Sequence, residues 1–296
     1  MTLDGILLID KEPGWTSHDV VAKARSITGQ RRIGHTGTLD PMATGLLVLC
    51  LGKATRLVEY MVSHDKRYEG EIALGIATST DDADGDVISR NPPPELDDAT
   101  LHGLERRFGG EIAQRPPAFS AVKIRGQRAY AAARRGSPLD IPERHVVVHK
   151  LTLDRARPGV LSLRIHCGPG TYVRSIARDI GVALGCGAHL SSLRRLAVGS
   201  FSVENACTLG LLARIVGEGL LAEALRAPDD GVAGREAAIV NAENGARLRH
   251  GVVARCHDRV TRPASAARIF TTEGEFVAMA EVVSDGQIRP LKVFID

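Results

Sequence analysis

No apolar run in the 296-residue chain approaches the roughly 20 residues that a helix needs to cross a bilayer. That excludes a helical membrane protein. The opening residues, MTLDGILLIDK, are acidic and carry no secretory leader pattern, so a soluble, cytoplasmic protein is expected. Cysteine is scarce: Cys50, Cys167, Cys186, Cys207 and Cys256 are odd in number and contain no CxxC. This excludes a disulfide framework or a cysteine-based zinc site and leaves reduced thiols. A large excess of one charge is missing too, since 38 Lys and Arg face 35 Asp and Glu for a net +3. Any case for nucleic acid must come from how the charge is distributed. There are no internal repeats or low-complexity tracts. What is present is 44% hydrophobic residues. They can fill one large domain, or a main domain with a smaller one.

The most informative stretch is Arg31–Arg56, RRIGHTGTLDPMATGLLVLCLGKATR. Pro41 pushes Asp40 out of helical φ/ψ toward an extended conformation, which lets its carboxylate project from a loop. Behind it, the apolar run Leu46–Leu51 predicts a buried strand. A loop carboxylate braced by a rigid strand suits catalysis. The same local pattern also fits Asp40 as a helix cap, with Pro41 in the first helical position.

Around this stretch, Gly5–Asp10 reads as a buried strand that ends in a turn at Lys11–Gly14. Ser17 is placed to cap a helix with Val20, Val21, Ala24 and Ile27 on one face, stopped by Gly29. Alternation at Tyr68, Gly70, Ile72 and Leu74 predicts a strand with one buried face, where a packed ring is the ordinary role for Tyr68. The acidic run Asp81–Asp86 fails as a calcium loop. With Asp82, Asp84 and Asp86 as the first three ligands, Val87 and Pro93 fall where Gly and Glu are needed. It is expected to be an exposed turn. Asn91–Pro94 reads as a stiff connector, followed by a helix carrying Leu101, Leu104 and Phe108. A strand at Val160–Cys167 leads into a helix with Val173, Ala177, Ile180 and Leu184 on its apolar face. Tyr172 and Arg174 then lie at a strand-to-helix junction, with Arg174 and Arg178 side by side. Leu209–Leu225 is expected to be a single helix, and Ala227–Gly231 a boundary. From about Ala237 a short helix, then strands at Ala267–Phe270, Phe276–Val283 and Gln287–Phe294, predict a small β-rich module, with an Asp-Gly turn at Asp285.

His35–Leu47, HTGTLDPMATGLL, closely resembles the central motif of the TruB family of tRNA pseudouridine synthases. DKEPGWTSHDVV, GTYVRSIARD and the segment Ala188–Leu196 resemble further motifs of that family. The similarity covers roughly residues 4 to 200. The tail resembles the family's PUA-like accessory domain only in position and composition. The resemblance implies an α+β fold. A pseudouridine-synthase-like catalytic domain, residues 1–230, would hold a central mixed, mainly antiparallel sheet flanked by helices. A PUA-like RNA-binding module would occupy 237–296. It implies an isomerase that breaks the C1′–N1 bond of uridine, rotates the base and rejoins it through C5, with no cofactor and no metal. In that reading Asp40 is the nucleophile and Arg174 keeps it charged and aimed. Tyr68 lies on the target base and helps remove the C5 proton. Tyr172 and Leu193 complete the pocket, and His35 fills the space the base vacates. Lys11 and Trp15 fit turn roles as well as RNA contact and stand outside this set. The implied substrate is the T-loop uridine, position 55, in the T-arm of tRNA, bound by a monomer with no obligate protein partner.

One feature of the charge distribution supports RNA independently of the resemblance. Residues 112–139 contain Arg115, Lys123, Arg125, Arg128, Arg134 and Arg135 with no acidic residue, interleaved with Phe119 and Tyr130. Such a block can neutralise phosphates and stack bases, although a generic cationic surface has the same composition. Two other function classes fit parts of the chain. An RNA-binding or RNA-folding factor would need the basic block and no chemistry. A carboxylate-based glycosidase would need a second catalytic carboxylate, for which the motif-bearing segments offer no obvious candidate.

Overall fold

Two apolar runs near the N-terminus become neighbouring strands, Gly5–Lys11 and Thr44–Leu51, paired antiparallel with Ile6 opposite Cys50 and Leu8 opposite Val48. Side chains alternate along each. Leu7, Ile9, Leu47 and Leu49 face one core, while Ile6, Leu8, Leu46 and Val48 face another with Met61, Phe201 and Val232. Burial on both faces explains why these segments are continuously apolar instead of alternating.

The computed structural model describes residues 3–124, 126–256, 266–284 and 286–294. Arg125 of the basic block and Asp285 of the anticipated turn lie outside the described residues. The main sheet runs in the order Gly5–Lys11, Thr44–Leu51, Ala188–Val198, Lys66–Leu74, Val160–Cys167, Arg144–Arg157, Gly110–Gln114. Helices Ser17–Thr28, Asp98–Arg107 and Val173–Ala183 contribute apolar side chains to the first core, among them Val20, Leu101, Leu104, Ile176 and Ile180. Among the described strands of this sheet, one pairing is parallel: Arg194 opposite Thr44 and Arg195 opposite Gly45. This is the mixed, mainly antiparallel α+β arrangement expected.

A second, five-stranded sheet has the order Ala237–Val240, Ala266–Thr271, Phe276–Ser284, Gln287–Val293, Ala254–Arg255. Met279 and Phe294 join the second core, and Lys292 Nζ lies 2.7 Å from Glu59. The small β-rich sheet is therefore fastened to the main body.

Three local expectations change. Thr16, not Ser17, caps the first helix: its hydroxyl accepts from the Asp19 N–H, and the Asp19 carboxylate accepts from the Thr16 N–H. The stretch 209–225 forms two helices, Leu209–Gly217 and Leu221–Ala224, because Gly219 takes a left-handed φ of 79° between them. The segment from Ala237 begins as a strand, and its helix, Ala242–Arg249, starts only after the Asn241 cap.

The parallel seam depends on Gly45. Its φ is +96°, and a Cβ there would stand 2.3 Å from the Arg195 carbonyl oxygen and 2.8 Å from its nitrogen, both backbone atoms. Gly45→Ala should therefore cost roughly 2–5 kcal/mol from left-handed strain and overpacking. Urea unfolding measures this, and a loss under about 0.5 kcal/mol would contradict so close an approach.

Candidate active site

Asp40 is held by the backbone around it. After Pro41 the chain turns, with the Ala43 N–H donating to the Asp40 carbonyl, and enters the strand at Thr44. No helix follows, so Asp40 is not a helix cap. Ser17, freed from capping, turns inward: it accepts from the Leu39 N–H at 2.8 Å and donates to the Leu39 carbonyl at 3.2 Å. Lys11 is 1% exposed, and its ammonium donates to the carbonyls of Glu12, Trp15 and Pro41. Of its two readings, the turn role is the one the structure displays. From the other side Arg195, 2% exposed, donates to the carbonyls of Leu46, Thr38 and Gly37. Two buried cations thus clamp the loop by its carbonyls and leave the carboxylate free for other partners.

That partner is Arg174. Its Nη2 donates to Asp40 Oδ1 at 3.1 Å, and its Nε lies 2.9 Å from Oδ2. Nη2 also donates to the Phe119 carbonyl, and Nη1 donates to the Thr80 carbonyl and lies 3.4 Å from Asp82 Oδ2. Burying a guanidinium costs several kcal/mol unless acceptors and countercharge offset it. Arg174 donates from Nη1 and Nη2 and lies in ion contact with both Asp40 and Asp82, its Nε meeting Asp40 Oδ2 by charge and not by a hydrogen bond. Its side chain is 4% exposed while Asp40 keeps 33%. The anchor is sealed and the carboxylate is accessible.

The acidic run is the clearest correction. The turn is exposed only in part: Ala83, Asp84 and Asp86 face solvent as expected, whereas Arg178 on the Val173–Ala183 helix reaches Asp81 at 3.1 Å and Asp82 is 4% exposed. Asp82 accepts from Thr80 and from the Asp84 N–H. Arg174 therefore sits between two carboxylates. Burial pushes the Asp40 carboxyl above its usual range, Arg174 pulls it back, and Asp82 adds to the rise. Because both oxygens meet guanidinium nitrogens, the arrangement is that of the ionised form.

These groups open into a cavity of about 690 Å³. Asp40, Tyr68, Tyr172, Arg174 and Leu193 all line it, brought from four separate chain segments. Tyr68 comes from the Lys66–Leu74 strand, and burial pushes its phenol up, opposed by Arg195 beside it. Tyr172 is fixed through its backbone, donating to and accepting from the Gln114 side chain, and its ring lies under Arg144. Leu193 faces in from Ala188–Val198 and is 8% exposed. His35 does not line the cavity. It stands half-buried beside His18, which does, with ring centroids 6.0 Å apart. Lys66 also lines the cavity, and burial lowers its ammonium to about 8.

The basic block divides. Arg128, Arg134 and Tyr130 line the cavity, and Lys123 and Arg135 are exposed. Arg115 instead pairs with Asp140 at 2.9 Å, so it has a structural partner. Sequence reasoning missed Asp82, Arg195 and Gln114. Asp82 was concealed inside a run of acids, and Arg195 inside a pair of arginines of which the other, Arg194, makes a partly exposed ion pair with Asp10. Nothing in the neighbourhood of Gln114 marks it.

Residues 25–173 match the model of the TruB family pseudouridylate synthase N-terminal domain, and residues 174–228 that of the tRNA pseudouridylate synthase B C-terminal domain. A tRNA pseudouridine synthase B of Thermobifida fusca is 42% identical over 98% of both chains. One of Solibacter usitatus is 40% identical over 98% of this chain and 100% of its own. Among solved structures, a Cbf5-Nop10-Gar1 complex contains a chain that superposes with a TM-score of 0.76. That chain is 27% identical, and the match covers 98% of this chain and 85% of its own. A family model spanning half the sequence and relatives of this identity along its whole length lead to one conclusion: the chain belongs to the TruB family of pseudouridylate synthases.

Proposed function

We propose that this chain is a tRNA pseudouridine synthase that isomerises the T-loop uridine at position 55, with Asp40 as nucleophile. The observation that carries the reading is the accessible Asp40 carboxylate held two-point by a sealed Arg174 in a cavity large enough for a nucleoside. A uridine inside folded RNA must leave its stack, at a cost of a few kcal/mol, before it can reach that carboxylate. In the cavity the base lies on Tyr68, between Tyr172 and Leu193, and Tyr68 helps remove the C5 proton. His35, packed beside the cavity-lining His18, takes the space vacated in the RNA. The reaction redistributes bonds within one nucleotide: the C1′–N1 bond breaks, the base rotates, C5 bonds to C1′ as its proton departs, and N1 takes up a proton. It consumes no oxidant or energy source. Residues 1–230 form the catalytic domain and 237–296 an accessory RNA-binding module. Arg128, Arg134 and Tyr130 extend the grip at the cavity mouth, and the working unit is a cytoplasmic monomer bound to the T-arm.

The glycosidase reading gains a second carboxylate in Asp82, which lines the same cavity. Asp82 is, however, buried and engaged by Arg174, Thr80 and the Asp84 N–H, so it has no free proton-transfer role. The structure disfavours that route.

Asp40→Asn keeps shape and removes the nucleophile. Single-turnover pseudouridine formation should fall by about a thousandfold or more while tRNA binding persists. Native-rate product from this variant would remove Asp40 from the reaction, whereas a wild-type chain that binds tRNA and forms no product would favour a binding or folding factor.

The acid limb of the pH–rate profile tests the electrostatics. The folded pKa of Asp40 is raised above 3.8, so activity needing the ionised form is present above that raised value and lost as pH falls through it. Arg174→Lys weakens the pull that lowers the pKa. The limb should move to higher pH, with the largest rate loss on the acid side. An unmoved limb with a uniform loss would mean that Arg174 acts elsewhere.

Binding should weaken steeply with salt, and replacing Arg128 or Arg134 by Gln should each reduce the slope of log K against log salt by about one. Unchanged slopes would take these residues off the phosphate path.

A further inference from the structure

Asp65, His149 and His166 are far apart in sequence and are the one group of three His, Cys, Asp or Glu donors found together among the described residues. The sheet assembles them. Asp65 immediately precedes the Lys66–Leu74 strand, and His166 lies opposite Arg67 on the adjacent Val160–Cys167 strand. On the next strand, Val148 pairs with Cys167 and Lys150 with His166, which leaves His149 as the extra residue of a β-bulge. The bulge brings its ring to the His166 face, with ring centroids 4.7 Å apart. The Asp65 backbone is held by the Gly199 N–H at 2.9 Å.

Two of the three donor separations are close to those of a coordination polyhedron. His149 Nε2 lies 3.2 Å and His166 Nε2 3.6 Å from the same Asp65 oxygen, and the three donor atoms all lie within 4.8 Å of one another. Ligand atoms at about 2.0–2.2 Å from a tetrahedral zinc ion are roughly 3.3–3.5 Å apart. A simple ion pair would need one imidazolium. Two imidazoles aimed at one carboxylate oxygen are better suited to share a cation that replaces their protons.

We propose that Asp65, His149 and His166 form a binding site for a borderline divalent transition-metal ion such as Zn²⁺, with water completing the coordination. None of the three lines the cavity, so the ion clamps three adjacent strands and takes no part in the isomerisation. The inference is independent of the function proposed above.

The test uses the untagged full-length chain, stripped with a chelator and titrated with Zn²⁺ by calorimetry, and with Co²⁺ by its visible absorption. One equivalent should bind, with the intense bands of four-coordinate Co²⁺. His149→Ala and His166→Ala should each weaken binding at least about tenfold, and His250→Ala, on the small module, should not. Because both histidines are partly exposed, the variants should keep the wild-type circular dichroism. Asp65→Asn, which removes the carboxylate charge, provides a third reading. No saturable binding to the wild type, or binding undiminished when both histidines are replaced, would overturn the proposal.

Discussion

The contact between Arg174 and Asp40 imposes a constraint that the rest of the structure meets. A guanidinium placed in the interior has to be offset by acceptors and opposite charge, and Arg174 finds them in Asp40, Asp82 and the carbonyls of Thr80 and Phe119. Those acceptors come from three separate segments. The residue that keeps the carboxylate charged thereby also fixes the acidic loop and the basic segment around the cavity. A lysine could supply the charge but could not hold this many partners in a plane.

The loop itself is positioned by the seam between Thr44–Leu51 and Ala188–Val198. At Gly45 the two backbones approach within a distance that no side chain would permit, and Arg195 on the partner strand reaches back to the carbonyls of Gly37, Thr38 and Leu46. Lys11 meets the loop from the first strand. The carboxylate is thus preorganised by hydrogen bonds to the backbone of its loop, and its side chain stays available for Arg174 and open to the cavity.

The fold was legible where pattern and burial coincide. Ile6–Ile9 and Leu46–Leu51 are apolar on both faces, and strands buried on both faces follow directly. The motif resemblance singled out six residues, of which Asp40, Tyr68, Tyr172, Arg174 and Leu193 share one cavity while His35 does not line it. What stayed hidden depends on partners distant in sequence. A run of aspartates looks solvated until an arginine beyond residue 170 is folded onto it, and this is why Asp81 and Asp82 were read as exposed. Arg194 and Arg195 are neighbours of one type, yet strand alternation sends one to a partly exposed ion pair and the other into the core. The strand at Ala237–Val240 was misread for another reason: a short apolar segment fits helix and strand equally well until a neighbouring strand claims it.

The most direct measurement is a structure of this chain bound to a T-arm stem-loop. It should show the target uridine out of its stack, with its ring on Tyr68 and its glycosidic end against the Asp40 carboxylate while Arg174 still holds that group. A loop bound with every base stacked, or a uridine seated where Asp40 cannot reach it, would contradict the account.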